Sequence, residues 1–170
     1  MDKATKRTAE GLLKAIQLEV DGQHFYRMAA KSTTDPKGQE VFERLAREEE
    51  EHERFLKTQY KSISETGAPS KEVELGSPAD LSGTSPIFSD QIQTRLGEAH
   101  YEMSALSIGI QLELASIKLY KGEAEAVADP TARSFYSELA EWESGHHKAL
   151  LRQQEMLKED YWHASGFYPF

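Results

Sequence analysis

Two sets of ionisable residues in this chain have the types and spacing of a metal site. Glu19 is followed 30 residues later by Glu49 and then by His52, and Glu113 is followed 30 residues later by Glu143 and then by His146. Each set ends in Glu-x-x-His, and positions i and i+3 share one face of a helix about one turn apart. Carboxylate oxygens and imidazole nitrogens suit iron or manganese and would also hold zinc. Gathered in a protein interior without cations, the carboxylates would repel one another and lose hydration, at several kcal/mol per ion. Two divalent cations would neutralise four carboxylates.

An internal repeat fixes the register. Sliding the chain against itself by 94 residues superimposes Ile16-Gln17-Leu18-Glu19 on Ile110-Gln111-Leu112-Glu113, Tyr26 on Tyr120, Asp35-Pro36 on Asp129-Pro130 and Leu45-Ala46 on Leu139-Ala140. Residues 15–56 hold 13 identities over 42 positions without a gap, where chance gives about one in fifteen. Around the motifs, Glu48, Glu49, Glu50 and Glu51 precede His52, and Glu141 and Glu143 precede His146 and His147. Only the pairs Glu49/Glu143 and His52/His146 match in both halves. This register assigns Glu48, Glu50, Glu51 and Glu53 to a solvated face, leaves His147 outside the ligand set, and places His24 and His100 on the surface. Four Glu and two His from paired Glu-x-x-His motifs is the arrangement of carboxylate-bridged di-iron and di-manganese sites. Tyr26 and Tyr120 each follow a candidate ligand by seven residues, two turns along the same face and about 10 Å away. A phenol there could hydrogen-bond a ligand carboxylate, carry an electron, or be a core Tyr with a satisfied hydroxyl.

Four helices are needed to present these residues. The pattern predicts them over roughly 3–31, 36–61, 90–128 and 130–158, with Asp35-Pro36 and Asp129-Pro130 as cap-plus-proline starts and Ser89-Asp90 as the cap of the third. Apolar residues follow three-and-four spacing. Examples are Leu12, Ile16, Tyr26 and Ala30, then Phe42, Leu45 and Leu56, then Met103, Leu106, Ile110, Ile117 and Tyr120, and finally Tyr136, Leu139 and Leu150. Each stripe is interrupted near its middle by the residues above. Residues 63–89 hold three of the six prolines and read as one long connection. The expected fold is all-α: two helical hairpins joined by a single long crossover, a four-helix bundle of ferritin-like connectivity over residues 1–158. The aromatic tail 159–170 is expected to pack on the bundle or on a second subunit.

Composition narrows the classes further. Lys and Arg number 20 against 29 Asp and Glu, a net charge of −9, which argues against nucleic acid or an anionic membrane as partner. The absence of cysteine removes disulfides, thiol nucleophiles and cysteine-ligated iron centres. With neither an apolar leader nor a run of about 20 apolar residues, the expectation is a soluble cytoplasmic protein.

The segments AIQLEVDGQHFYRMAA, LAREEEEHERFL, IQLELASIKLY and LAEWESGHHKALL resemble the rubrerythrin branch of the ferritin-like superfamily. The resemblance covers the four helices and neither the connection nor the tail. It implies two iron ions, with Glu19 and Glu113 as terminal ligands, Glu49 and Glu143 bridging, and His52 and His146 capping one metal each. It also implies a homodimer, in which hairpins could exchange between subunits, and reduction of hydrogen peroxide or dioxygen. Rubrerythrins usually feed electrons from a cysteine-bearing rubredoxin domain; here the expected donor is an external, rubredoxin-like protein. They also usually carry an extra Glu one turn after the third-helix ligand, where this chain has Ser116, with Gly22 as its repeat counterpart. The resulting six-ligand set also resembles the ferroxidase centre of bacterioferritins. A ferroxidase or iron-storage protein, and a non-catalytic metal-binding bundle, are therefore the alternatives.

Overall fold

A computed structural model describes residues 3–76, 87–90 and 100–164, and of residues 161–164 the backbone only. It contains helices α1 (Lys3–Ser32), α2 (Pro36–Thr66), α3 (His100–Ala126) and α4 (Pro130–Ala164), and no strand among the described residues. The fold is the all-α four-helix bundle of the ferritin-like type: α1 packs along α2, α3 along α4, and α1 against α3. No helix among the described residues is long and apolar enough to cross a membrane.

The helix starts follow from local chemistry. Asp35 Oδ1 accepts the Gly38 N–H at 2.8 Å, and Asp129 Oδ1 accepts the Ala132 N–H at 2.9 Å. In both, a proline occupies the first helical position, where a missing N–H costs nothing. Helix α2 runs past its expected end near 61, because Ile63 is 1% exposed and extends the apolar stripe by one more turn. It stops at Gly67, whose φ of 81° closes the helix with an N–H to Ile63 O bond, a backbone state that glycine adopts without a Cβ clash. Helix α4 continues past residue 158 to Ala164, so the first part of the expected tail, 159–164, is helical. The rest of the tail (165–170), the middle of the connection (77–86) and the expected first turns of the third helix (91–99) lie outside the described residues.

Both ends of the connection are fastened. The Gln59 side chain donates to Ser70 O at 3.1 Å and accepts from Ser70 N at 2.9 Å. At the far end Ile87 and Phe88 are buried, and Phe88 packs edge-on against Phe42 at 6.0 Å. Asp35 accepts the Ser89 N–H and its hydroxyl.

The core is divided into two. One apolar cluster gathers Tyr26, Phe42, Leu45, Leu106, Ile110 and Leu150, and the other gathers Leu12, Leu56, Ile63, Tyr120, Tyr136 and Leu139. On every helix the candidate ligands fall between the stretch that joins one cluster and the stretch that joins the other. The ionisable residues therefore form a layer across the middle of the bundle, closed by apolar packing above and below.

Candidate metal centre

All six residues predicted from the repeat are buried and come together in that layer. Their ligand atoms form two groups, Glu19, Glu49, His52 and Glu143, and Glu49, Glu113, Glu143 and His146, with the atoms of each group within 4.8 Å of one another. The first group takes its members from α1, α2 and α4, the second from α2, α3 and α4.

Distances show how the two groups share their members. His52 Nδ1 lies 3.0 Å from Glu143 Oε1, 3.3 Å from Glu19 Oε2 and 3.9 Å from Glu49 Oε2. His146 Nδ1 lies 3.2 Å from Glu143 Oε2, 3.7 Å from Glu49 Oε1 and 3.7 Å from Glu113 Oε2. Glu49 and Glu143 thus divide their two oxygens between the groups, one each, while Glu19 and Glu113 serve one group apiece. Four of these facing atoms or pairs, Glu19 Oε2, His52 Nδ1, His146 Nδ1 and both oxygens of Glu143, are buried without a hydrogen-bond partner. They crowd together yet point past one another rather than along hydrogen bonds. Atoms about 2.1 Å from a shared ion sit about 3 Å apart when adjacent and about 4 Å apart when opposite, which is the spacing found. The two groups therefore have the composition and spacing of residues that could hold a metal ion.

The electrostatics carry the same message. Burial pushes the Glu19 carboxyl well above the usual range, helped by the charges of Glu49 and Glu143. Burial and then Glu143 do the same to Glu113. Glu143 goes the other way: burial opposes its charge, but the imidazoles of His52 and His146 outweigh it. Burial would lower both histidines, yet Glu143 and Glu19 hold His52 well above its usual value. Glu113, Glu143 and Glu48 do so for His146. These shifts mark a cluster in which buried like charges favour bound positive charge.

The two tyrosines reach the ligands, but across the bundle. The Tyr26 hydroxyl donates to Glu113 Oε1 and the Tyr120 hydroxyl to Glu19 Oε1. Each phenol thus serves the carboxylate of the other half, which sequence spacing along one helix cannot show. It occupies one oxygen and leaves Oε2 facing the histidine. Both phenols are fully buried. Burial, followed by the charges of Glu113 and Glu49, raises Tyr26 well above its usual value, so it stays a hydrogen-bond donor.

One assignment is corrected. Glu48 is not on the solvated face: it is 6% exposed and its Oε2 lies 2.7 Å from His146 Nε2. It sits three residues after Leu45 and four before His52, on the core spacing, and that was the available signal. Its repeat counterpart is Trp142, which is buried and meets the His52 ring edge-on at 4.8 Å. Trp142 and His52 line a cavity of about 270 Å³ with Phe55, Val73 and Leu75. His24 and His100 are exposed, and Glu50, Glu51, Glu53 and His147 lie outside both ligand groups. Gly22 lies against Glu49: a Cβ there would be 3.4 Å from Glu49 Cδ, in ordinary van der Waals contact. Ser116 is buried.

The family model described as Rubrerythrin matches residues 10–154. Comparison with curated proteins and with solved structures gives no match.

Proposed function

The chain belongs to the rubrerythrin family, and from that premise we propose that it is a cytoplasmic non-haem di-iron oxidoreductase that reduces hydrogen peroxide. The observation that carries this reading is the division of the Glu49 and Glu143 oxygens between two ligand groups. The overall reaction takes hydrogen peroxide, two electrons and two protons to two water molecules. An iron pair held there would supply the two electrons, one from each ion, with an external one-electron donor protein of rubredoxin-like chemistry as the source of reductant. Glu19, Glu49 and His52 would hold one ion, and Glu113, Glu143 and His146 the other, with Glu49 and Glu143 shared.

The protein's own residues do three things. Four carboxylates set the charge of the site, and their burial between the apolar clusters excludes bulk water, which strengthens each electrostatic interaction. Tyr120 and Tyr26 hold protons against Glu19 Oε1 and Glu113 Oε1, which fixes the orientation of the two unshared carboxylates. His52 and His146 present Nδ1 to the centre. The family also implies a homodimer, which sedimentation of the purified protein tests.

A second reading, oxidation of iron(II) by dioxygen as in a ferroxidase, is favoured by Ser116. A buried serine stands where the family usually carries a fifth carboxylate. One experiment separates the two. Protein purified without oxygen and loaded with iron(II) is mixed with hydrogen peroxide and, separately, with dioxygen, and absorbance is followed by stopped flow. Faster oxidation by peroxide supports the proposal. Faster oxidation by dioxygen moves the function to a ferroxidase, and iron that neither oxidant touches makes the centre structural.

A further inference from the structure

The two imidazoles are equivalent in the repeat and unlike in the fold. Behind His146, on the side away from the cluster, Glu48 Oε2 sits 2.7 Å from Nε2. A buried carboxylate there holds the ring proton on Nε2 and leaves the Nδ1 lone pair facing Glu49, Glu113 and Glu143. Behind His52, the repeat counterpart of Glu48 is Trp142, whose ring meets the imidazole edge-on. His52 Nε2 is buried and has no hydrogen-bond partner. A cation on His52 Nδ1 requires the ring proton on Nε2, where no side chain among the described residues accepts it. A cation on His146 Nδ1 meets a proton already held by a carboxylate.

The geometry points to two metal positions of unequal affinity: the position capped by His146 fills first because Glu48 orients and polarises that imidazole, and the position capped by His52 fills second. Glu48 is a positioning residue, acting on the metal through His146. This inference rests on the reading of the cluster as a two-ion centre and adds the order in which it fills. It makes the difference between Glu48 and Trp142 a source of asymmetry between the two halves of the site.

The test is titration of the metal-free full-length chain with cobalt(II), followed by calorimetry and by the visible absorption of the bound ion. The wild-type protein takes up cobalt in two steps. Glu48→Gln keeps an acceptor for the ring N–H and removes its charge; the tight step weakens about tenfold or more while the weaker step moves by less than about twofold. His52→Ala removes the weaker step and leaves the tight one with its wild-type absorption bands, and His146→Ala does the reverse. Should Glu48→Gln fail to fold by circular dichroism, the pair of histidine variants decides the order. Two indistinguishable steps in the wild type overturn the inference, as does Glu48→Gln weakening both steps alike, or a tight step that follows His52. Each of these leaves the two-ion centre standing. A wild-type chain that binds no cobalt overturns the centre, and the inference with it.

Discussion

Glu49 and Glu143 are the residues on which the site depends, because each places one oxygen in each ligand group. Glu49→Ala or Glu143→Ala should reduce bound metal from two ions per chain to less than one, measured by elemental analysis. The helical circular dichroism should survive, since the change also removes a buried charge. Tyr120→Phe leaves Glu19 Oε1 without its donor and should cost about 1–3 kcal/mol in a urea melt of the metal-free protein. The metal-free protein should also respond to pH in a defined direction. Glu19, Glu113, His52 and His146 have raised values in the folded state. Their contribution is complete below the unfolded values and is lost as pH rises through the folded ones. Glu143, whose value is lowered, contributes the opposite dependence, present above its unfolded value and lost as pH falls through its folded one. Four groups outweigh one, so the melting temperature of the metal-free protein should fall as pH rises above the ordinary histidine value of about 6.5. The metal-loaded protein should show little of that fall; equal slopes for both forms would contradict this account.

Caps and stripes place the ligands at the scale of the elements. Asp35 and Asp129 match in the repeat, yet they do different work. Asp129 accepts the Ala132 N–H, whereas Asp35 caps α2 and also receives Ser89 from the end of the connection. Asp35→Ala should therefore destabilise by about 2 kcal/mol and Asp129→Ala by about 1 kcal/mol, read as the difference between two chemical melts. Equal losses would mean that the Ser89 contact adds nothing. The paired start signals were legible because a cap followed by proline is a local backbone requirement. The late end of α2 was legible in principle, since Ile63 lies on the spacing of Leu56 and Gln59. The burial of Ile87 and Phe88 was not, because a two-residue apolar pair has no period from which to infer a partner.

Across the whole molecule, the ionisable layer separates two apolar clusters that would otherwise be one core. A metal ion held in that layer would therefore be linked to folding. An ion present at a hundredfold excess over its dissociation constant adds about 2.7 kcal/mol, and for a chain of this length that corresponds to about 5–10 °C in melting temperature. Stripping with a chelator should lower the melting temperature by that order and restoring metal should raise it again; an unchanged melt would mean that no ion occupies the layer. The identity of the six candidate ligands was determined by the sequence alone, because a helix shows its buried face as a period and the duplication repeats that period with only one consistent register. The family could be read from the same residues. Which phenol meets which carboxylate, which oxygens are shared, and why Glu48 stands behind His146 while Trp142 stands behind His52 were decided by tertiary structure. A period states which face of a helix is buried; the residue it faces depends on the neighbouring helix and on its axial stagger, and only packing sets these.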